Sequence, residues 1–352
     1  MKIAFLADAG TVHARRWSLG LASRGHDLRI FTNSSFGTFP DGITTELLPG
    51  KPPLAYLRNI PRIKKMLGRF APDVVHVHYA TGYGLWGYTQ KAAPLIVTAW
   101  GTDIADALAG KLFIAPIVRR ALKAARFITS PSRFLLEQTV RLEPLAADKL
   151  VLLPFGVPMR VDEETPHAPS GSVRVIFTKQ FYPTYAPEMV VRAFAVACRK
   201  LPDLHLLMIG GGPLFGRLAS LAESLDLGER IEIRGWIDPD QAQGLIRDSD
   251  IMVMPSIMES FGVAAVEAAA AGVPVIATNV GGIPEIVEHG VNGLLIDVGD
   301  ESGLAEAIIT LAGDEALRRR MGSAGRQIAR EKFNIEDCLD RLENLYHQTL
   351  ES

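Results

Sequence analysis

Two glutamates eight positions apart, Glu259 and Glu267, are the clearest candidates for chemistry in this sequence. Phe261 and Gly262 form a predicted turn between them, and the Ala-rich run 263–271 has a high helix propensity. A helix that begins directly after a glycine presents backbone N–H groups and the positive end of its dipole to an anion. A carboxylate on each side of such an anion site suits a sugar nucleotide, with one acid for sugar hydroxyls and one for ribose hydroxyls.

Strand-like and helical segments alternate along the whole chain, and they must position these residues. The strand-like runs are continuously apolar, as expected for parallel strands covered on both faces. Six such runs in each half predict an α/β protein with two similar Rossmann-like domains. The predicted strands are residues 2–7, 28–32, 73–78, 95–99, 127–130 and 149–153 in the first half, and 173–178, 205–210, 231–235, 251–255, 274–278 and 293–296 in the second.

The double-glutamate region resembles the Glu-x7-Glu signature of retaining GT4-type glycosyltransferases, also called glycosyltransferase group 1. Pro255-Ser256 before the pair and Gly-Val-Pro-Val and Gly281-Gly282 after it carry the resemblance. It implies the GT-B fold, in which two facing Rossmann-like domains with parallel sheets enclose an interdomain cleft. It also implies retaining, metal-independent transfer of a sugar from a nucleotide diphosphate donor, with a UDP-sugar favoured. In that chemistry Glu259 would orient the sugar and Glu267 the ribose.

The domain boundary is predicted in residues 152–172, which are rich in Pro, Gly and acids and show no periodicity. The start of this segment, LLPFGVP, resembles the family's hinge. Residues 1–155 would form the acceptor-side domain and residues 156–334 the domain that binds the nucleotide sugar. The resemblance further implies that the final helix, residues 335–352, packs back on the first domain.

Several other segments resemble the family's donor-site loops. Gly211 lies in a triple-glycine turn between a strand and a helix, and Gly235 matches the loop where the nucleobase rests against backbone. Gly281-Gly282 and Glu285 match the family's Gly-Gly-x-x-Glu turn. Glu285 would equally fit an acid in the first turn of its own helix, where it interacts favourably with the helix dipole. The implied donor-binding residues are Gly10, Tyr185, Gly211, Gly235, Ser260, Phe261, Gly262, Val263 and Glu267.

The diphosphate needs positive charge when it leaves, and the family normally supplies an Arg and a Lys after the first strand of the second domain. Here Lys179 stands at the Arg position and Tyr185 at the Lys position. Lysine is a point charge without the bidentate fork of arginine, so one cation of the family's pair is missing. A preorganised cation and backbone N–H groups would still stabilise the leaving diphosphate without a metal. Lys179 and Glu259 are therefore the predicted catalytic residues.

The first domain is expected to contribute the acceptor side and part of the sugar pocket. Gly10 follows the first predicted strand, and His13 comes three residues after Gly10. The segment VTAWGTD resembles the family's His-Gly-x-Asp segment, with Trp100 at the His position and Asp103 at the Asp position. An indole stacks on a sugar ring and donates one hydrogen bond, but it cannot transfer a proton.

Two histidines, His76 and His78, lie at the end of predicted strand 73–78. We expect strand alternation to point them to opposite faces of the sheet, so that one of them is structural. His78 is nearer the carboxyl end and is the better candidate for the cleft. Together with His13, Trp100 and Asp103, it completes the predicted sugar and acceptor side.

The net charge of −2 hides a split between the two halves. Residues 1–150 carry 20 Lys+Arg and 10 Asp+Glu, a net charge of +10, whereas residues 151–352 carry 17 and 29, a net charge of −12. Much of the positive charge lies in residues 54–70, which carry an approximate helical stripe of apolar residues. A basic amphipathic helix of this kind suits an anionic membrane surface, and it equally suits a domain helix with solvated charges. Both interpretations stay open, although Pro61 argues against one continuous surface helix.

Other classes are disfavoured by what the sequence lacks. The two cysteines, Cys198 and Cys338, fit buried free thiols, and no pair of His or Cys has zinc-ligand spacing. No apolar stretch approaches the ~18 residues of a transmembrane helix, and the N-terminal run is too short for a signal peptide. We therefore expect a cytoplasmic protein, with peripheral membrane contact as one alternative, and no cofactor or metal.

Four functions remain in comparison. The leading one transfers sugar to a lipid-linked or polysaccharide acceptor, and a second uses the same chemistry on a small soluble acceptor. A third is a degenerate module that binds a nucleotide sugar without turnover, and a fourth is another GT-B enzyme such as a sugar-nucleotide epimerase. A dehydrogenase is disfavoured because no Gly-x-Gly-x-x-Gly follows the first strand, and nucleic-acid binding has no motif behind it.

Overall fold

The computed structural model describes residues 1–34, 39, 42–159 and 171–351. The chain forms two compact units, one made of Met1–Gly156 and Ile335–Ser352 and the other of Val157–Asn334. This division lies one residue from the predicted boundary at 155/156. Most of the predicted join, residues 160–170, lies outside the described residues.

The first unit contains a seven-stranded, fully parallel sheet with the order β3-β2-β1-β4-β5-β6-β7. Its strands are β1 (Lys2–Leu6), β2 (Asp27–Thr32), β3 (Ile43–Leu47), β4 (Val74–His78), β5 (Leu95–Thr98), β6 (Phe127–Ser130) and β7 (Leu150–Leu152). Strand β3 is absent from the prediction. It is an edge strand with the mixed sequence ITTEL, of which only Ile43 is buried, so it lacks the apolar run by which the other strands were identified.

Helices cover this sheet, and several begin where the sequence provides a cap. They are α1 (Val12–Ser23), α2 (Leu54–Arg58), α3 (Ile60–Phe70), α4 (Gly82–Thr89), α5 (Thr102–Leu108), α6 (Ile114–Ala124) and α7 (Arg133–Leu142). The Thr11 and Ser132 side chains accept hydrogen bonds from first-turn N–H groups of α1 and α7. The basic segment 54–70 is two helices that meet at Asn59, and Pro61 lies in the first turn of α3, where its missing N–H costs nothing.

The second unit contains a six-stranded, fully parallel sheet with the order β10-β9-β8-β11-β12-β13. Its strands are β8 (Val173–Phe177), β9 (Leu204–Ile209), β10 (Ile231–Arg234), β11 (Ile251–Met254), β12 (Val275–Thr278) and β13 (Gly293–Ile296). Its helices are α8 (Pro187–Lys200), α9 (Phe215–Ser224), α10 (Pro239–Arg247), α11 (Val263–Ala271), α12 (Glu301–Gly313) and α13 (Glu315–Phe333). The predicted α/β class with two parallel sheets is confirmed.

Each sheet has its own apolar core. Trp86 and Phe31 are fully buried in the first core, and Phe177 and Phe194 in the second. Burial of a large apolar side chain contributes about 1.5–3 kcal/mol, so each of these residues stabilises its unit by about that amount. The Trp86 indole N–H donates to the Tyr56 carbonyl over 2.7 Å, which satisfies its polar end. Cys198 and Cys338 are free and buried, as predicted.

The last helix, α14 (Ile335–Glu351), belongs to the first unit and packs against α1 and β4. The Arg24 guanidinium lies 2.7 Å from Glu336, 2.6 Å from Asp340 and 2.5 Å from Glu343, all three on α14. The buried Tyr346 hydroxyl is hydrogen-bonded to His76 over 2.7 Å. Within the described ranges, no helix has the length and apolarity that crossing a bilayer would require.

Candidate active site

In the second sheet, the order of strand addition reverses between β8 and β11. These two strands are adjacent although 73 residues separate them in the chain. Such a topological switch opens a crevice at the carboxyl edge of a parallel sheet, and ligands of open α/β sheets bind there. Lys179 follows β8 by two residues and Glu259 follows β11 by five. The topology therefore brings both predicted catalytic residues to the same edge.

Lys179 and Glu259 form a direct ion pair at this switch point. Lys179 Nζ donates to Glu259 Oε2 over 2.5 Å, and the side chains are only 16% and 12% exposed. Burial opposes the charged form of Lys179, but the charge and hydrogen bond of Glu259, with smaller contributions from Tyr185 and Glu267, outweigh it and raise the pKa of Lys179 above its ordinary value. Lys179 is therefore a fixed positive charge at neutral pH.

Tyr185 lies beside this ion pair without replacing the missing cation. It ends the short 3₁₀ helix Pro183–Tyr185, and Lys179 Nζ lies 5.1 Å from the centroid of its ring. This is cation–π geometry, which holds the ammonium by the face of the ring. The same loop is tied to the double-glutamate loop, because Ile257 N–H donates to the Thr184 carbonyl over 2.8 Å. Tyr185 thus positions Lys179.

Helix α11 begins between the two glutamates, as the sequence predicts. Gly262 precedes it with φ of 105°, and a Cβ there would lie 2.5 Å from Ile283 Cδ1. Only glycine meets both demands. Gly262 has no capping side chain, and the Ala265 N–H donates to the Gly262 carbonyl over 2.9 Å, so the first two N–H groups of the helix, beginning at Val263, are the ones that can serve an anion. The helix is apolar and largely buried, so its N-terminus is fixed in place.

Glu267 lies on the part of α11 that faces α10. It lines a cavity of about 50 Å³ together with Gln243 and Arg247 of α10 and with Val157. Its charge also raises the pKa of Lys179. Glu267 is thus electrostatically linked to the ion pair while occupying a separate polar depression, where a cation, Arg247, accompanies it.

The triple-glycine turn packs against the loop that carries Lys179. A Cβ on Gly210 would lie 2.2 Å from the Lys179 carbonyl oxygen, which explains the need for glycine there. The Phe181 N–H donates to the Gly211 carbonyl over 2.8 Å. No atom lies within 4 Å of a Cβ built on Gly211 or on Gly235, within the described residues, so both predicted donor-binding glycines border open space.

The remaining donor-loop residues differ in what their side chains offer. Phe261 is buried, and its ring contacts Phe333 at 5.7 Å between centroids, so only its backbone is available to a ligand. Ser260 is partly exposed one position before it. Gly10, in the first unit, is exposed and donates its N–H to Asp8 Oδ1 over 2.9 Å. Gly10 therefore belongs to the first unit, whereas the other predicted donor-binding residues belong to the second.

The first sheet has its own topological switch, between β1 and β4, and aromatic side chains gather there. His13 stacks on Phe155 with ring centroids 4.3 Å apart, and its edge meets Trp100 at 5.4 Å. Trp100 in turn lies 6.0 Å from His78. Three of the four predicted acceptor-side residues thus form one cluster, with His13 beside the Trp100 that replaces the family's histidine.

His76 and His78 lie side by side, so the prediction that they point to opposite faces is wrong. Their ring centroids are 4.5 Å apart, because a strand has a side-chain period of two and residues i and i+2 share a face. His76 is hydrogen-bonded to Tyr346 and Thr98, whereas neither ring nitrogen of His78 has a partner among the described residues. Burial lowers the pKa of His78 from its ordinary 6.5 to about 3, so its imidazole is neutral.

Asp103 anchors the loop that carries Trp100. Its fully buried carboxylate accepts N–H groups from Ala80, Trp100, Gly101 and Ile104 at 2.8–3.1 Å. Burial raises the pKa of Asp103, against the effect of these donors. With its oxygens engaged by backbone, Asp103 fixes the position of Trp100, which makes it a positioning residue.

Comparison with known proteins shows the family to which the chain belongs. Residues 160–328 match the family model described as glycosyl transferases group 1, and residues 2–132 match the model described as glycosyl transferase 4-like. The chain is 31% identical over 295 residues to N-acetyl-alpha-D-glucosaminyl L-malate synthase of Bacillus anthracis, covering 79% of this chain and 75% of that protein. The chain belongs to the GT4-like glycosyltransferases of group 1. It is therefore an enzyme of that class.

Two further proteins show how far the likeness to these glycosyltransferases extends. A D-inositol 3-phosphate glycosyltransferase of Saccharomonospora viridis is 25% identical over 395 residues, covering 97% of this chain and 90% of that one. The crystal structure of Anabaena HepE in complex with UDP-glucose superposes with a TM-score of 0.84 at 19% identity, covering 99% of this chain and all of the other. The predicted GT-B fold is confirmed by this likeness.

Sequence reasoning missed several residues that shape these sites in the glycosyltransferase. Trp17 is buried on the same helix as His13, and its indole N–H donates to the Phe155 carbonyl over 2.7 Å. In the second unit, the Thr178 and Ser256 hydroxyl oxygens are buried next to the switch point and lack a partner in the described part of the chain. The sequence contains a signal for Trp17, because Trp17 lies one helical turn after His13. It contains no signal for the two hydroxyl groups.

The described residues bring no three of His, Cys, Asp and Glu together in a group that would hold a metal ion. The two carboxylates of the second unit's site instead accompany cations. Glu259 is paired with Lys179, and Glu267 lines the same cavity as Arg247. Positive charge at this edge therefore comes from side chains and from the N-terminus of α11.

Proposed function

We propose that this glycosyltransferase moves a sugar from a UDP-sugar to a hydroxyl group of an anionic acceptor, with retention of configuration and without a metal ion. The observation that carries the proposal is the Lys179–Glu259 ion pair at the switch point of the second sheet, directly before the N-terminus of α11. It is the place where an open α/β sheet binds a phosphorylated ligand.

On the donor side, each charged group has a distinct task. Lys179 and the first turn of α11 would stabilise the diphosphate as it leaves, because preorganised charge acts without reorganisation at the moment of reaction. Glu259 would orient the transferred sugar, and Glu267 would bind the ribose hydroxyls at the mouth of its cavity. The preference for UDP draws support from HepE, whose structure contains UDP-glucose.

Independence from metal rests on the same electrostatics. A metal ion would otherwise have to neutralise the diphosphate, whereas here Lys179 is held charged by Glu259 and Glu267. Retention of configuration rests on the Glu-x7-Glu motif: departure of the diphosphate and attack by the acceptor would occur on the same face of the sugar, through an oxocarbenium-like state.

On the acceptor side, the cluster of His13, His78 and Trp100 would receive the sugar and the attacking hydroxyl. Trp100 and His13 offer aromatic faces for sugar rings. The excess of 20 Lys+Arg over 10 Asp+Glu in residues 1–150 favours an acceptor that carries phosphate or carboxylate. A lipid-linked sugar or growing polysaccharide is our first candidate, at the cytoplasmic face of a membrane.

A small soluble acceptor is the second candidate, favoured by the relatives' names. One relative is an N-acetyl-alpha-D-glucosaminyl L-malate synthase and another is a D-inositol 3-phosphate glycosyltransferase. Malate and inositol phosphate are both small anionic compounds with hydroxyl groups, so they satisfy the same charge argument.

The donor-side proposal is tested by slow hydrolysis of UDP-glucose in the presence of EDTA. We expect UDP release that EDTA leaves unchanged, and proton NMR of the first glucose formed should show the α anomer. Appearance of β-glucose first, or activity only after magnesium is restored, would contradict the proposal. Glu259→Gln serves as the variant that keeps the shape of the site while removing the charge that orients the sugar.

The acceptor is tested by competition between the two candidate classes. UDP-glucose turnover is measured with L-malate, with D-inositol 3-phosphate and with a polyprenyl-diphosphate-linked monosaccharide. Stimulation by the lipid-linked sugar alone would support the first candidate, and stimulation by either small compound would support the second. Trp100→Ala should abolish the stimulation while leaving slow hydrolysis in place.

A further inference from the structure

Helix α11 leaves one face partly exposed along its whole length. Five of its side chains are buried, and the four that are partly exposed are Val263, Glu267, Ala270 and Ala271. These positions are i, i+4, i+7 and i+8, so they share one face of the helix. Glu267 is the only one of the four with a polar side chain, and it lies roughly 6 Å along the helix axis from Val263. The face therefore leads from the anion site at the helix N-terminus to a single carboxylate.

The cavity at Glu267 lies between this face and α10. It has a volume of about 50 Å³ and is lined by Gln243, Gly244 and Arg247 of α10 and by Glu267, Ala270 and Ala271 of α11. A cavity needs about 10–15 Å³ to hold one water, so this one has room for a few hydroxyl-sized groups but not for a separate ligand. Among the described residues that line it, only Gln243, Arg247 and Glu267 have polar side chains.

Arg247 lies along α10 at the wall of this cavity. It is the last residue of α10, and a Cβ built on Gly244 would lie 3.7 Å from one of its guanidinium nitrogens. The guanidinium therefore lies back over the preceding turn, as long helical side chains usually do. Of the described residues that line the cavity, Arg247 is the only cation. It places its positive charge at the wall that Glu267 shares.

Glu267 lies near negative charge that would oppose its own. Its charge contributes to the raised pKa of Lys179, so it acts at the place where the proposed diphosphate would bring further negative charge, and like charges repel. A carboxylate that binds two ribose hydroxyls must stay ionised, because only then do both oxygens act purely as acceptors. A guanidinium suits this task, since it is always charged, donates through a rigid fork and accepts no hydrogen bond itself.

We propose that Arg247 is the positioning residue for Glu267: its guanidinium holds the carboxylate toward the ribose, and the two residues together select a nucleotide with ribose hydroxyls over its deoxy analogue. The inference rests on the proposed donor site, in which Glu267 binds the ribose, and adds the residue on which that contact depends. Arg247 lies 20 positions before Glu267, outside the Glu-x7-Glu motif. Only the packing of α10 on α11 brings the two residues to one cavity.

The test is calorimetric titration of the full chain with UDP and with 2′,3′-dideoxyuridine diphosphate, which lacks both ribose hydroxyls. The wild type should prefer UDP roughly 10- to 150-fold, the effect of a charge-assisted hydrogen bond, and Glu267→Ala should bind the two alike. Arg247→Ala should lower the preference roughly 5- to 10-fold, the difference between a charge-assisted and an ordinary hydrogen bond. Its affinity for the dideoxy compound should stay within about threefold of the wild type, because only screened attraction to the diphosphate is lost.

Two further variants separate positioning from a merely structural role. Arg247→Lys keeps the charge without the fork and should hold the preference within about threefold of the wild type. Arg199→Ala is the matched control, because Arg199 is also a basic residue in the last turn of a helix, α8, and is exposed. It should leave both affinities unchanged. Loss of the local structure around α10 would instead weaken the binding of both nucleotides alike.

The inference is overturned if Arg247→Ala keeps the wild-type preference, if it weakens both nucleotides by the same factor, or if Arg199→Ala loses as much preference. If Glu267→Ala abolishes the preference and Arg247→Ala retains it, the donor proposal stands and the inference alone fails. If the wild type binds UDP no better than the dideoxy compound, or binds neither, the ribose-binding role of Glu267 is refuted and the inference falls with it.

Discussion

The two units place opposite chemistry at the same topological position. At the switch point of the second sheet, Lys179 and Glu259 form a charged pair 2.5 Å long. At the switch point of the first sheet, His13, His78 and Trp100 form an aromatic cluster with a neutral, buried imidazole. Both sheets are parallel, and in both the order of strand addition reverses at the first strand of the unit. The difference in chemistry between the two switch points therefore comes from the residues that follow the strands.

The contrast runs against the overall charges of the two halves. The acidic half holds a buried cation at its switch point, and the basic half holds an uncharged cluster there, with its cations on α3 and other surface elements. Net charge therefore describes what each half attracts from a distance, whereas the strand ends determine what is bound. A diphosphate suits the charged edge and a sugar ring suits the aromatic one.

The largest effect expected from this contrast is at Lys179. Lys179→Met should lower the rate of UDP release from UDP-glucose by roughly 10²–10³-fold, the usual loss when one preorganised donor to a developing charge is removed. Lys179→Arg, which keeps the charge, is the matched variant and should lose far less. A rate for Lys179→Met within threefold of the wild type would show that the charged edge is not the donor site.

Lys179→Met also has a consequence for stability. It leaves the Glu259 carboxylate, 12% exposed, without its cation, which should cost roughly 1–3 kcal/mol in the free energy of unfolding. Thermal unfolding with Glu259→Gln/Lys179→Met as the control measures this, because the double variant has no unpaired charge. Equal stability of the single and double variants would contradict a strong pair.

The next largest effect is a dependence of the free energy of unfolding on pH, caused by the neutral histidines of the aromatic edge. Burial lowers the pKa of His78 to about 3, and burial together with the neighbouring His78 lowers that of His76. Between these low values and 6.5 the unfolded chain binds protons that the folded chain does not, so stability falls as the pH drops below 6.5. The slope is about 1.4 kcal/mol per pH unit for each such histidine. Urea unfolding from pH 7 to pH 4.5 checks it, and a flat profile would show that the histidines are charged in the folded protein.

The smallest effect sharpens the role of His78. Its unpartnered ring nitrogens are a cost in the folded state, so His78→Leu, with a similar volume, should change the free energy of unfolding at pH 7 by less than about 1.5 kcal/mol. The substitution should also remove the contribution of one histidine to the fall in unfolding free energy below pH 6.5. If His78 serves the acceptor, acceptor-stimulated transfer falls although the fold is retained. Full transfer activity in His78→Leu would make His78 a packing residue.

Sequence reasoning predicted the charged edge better than the aromatic one. The positions of Gly262, Glu259 and α11 follow from local rules: a glycine before an Ala-rich helix, with acids on either side. The contact between Lys179 and Glu259 does not follow from such rules, since the two residues are 80 positions apart and meet only through the strand order. Their shared placement required the family resemblance.

At the aromatic edge, the sequence identified the residues but not their arrangement. The faces of His76 and His78 were mispredicted through an error in strand period, and the backbone contacts of Asp103 depend on a loop whose shape no spacing reveals. Strand β3 was missed because half-buried edge strands carry polar residues. The errors thus concern tertiary geometry and weakly patterned segments, and the class of the fold was unaffected.

The most direct test of the division between a charged donor edge and an aromatic acceptor edge is a calorimetric titration of UDP, without metal, into the wild type, Glu267→Ala and Trp100→Ala. Loss of charge-assisted hydrogen bonds at Glu267 should weaken UDP binding by roughly 10- to 150-fold. Trp100→Ala should bind UDP like the wild type, and added magnesium or substitution of GDP or ADP should not improve binding. Undiminished binding by Glu267→Ala, or its loss in Trp100→Ala, would contradict the account.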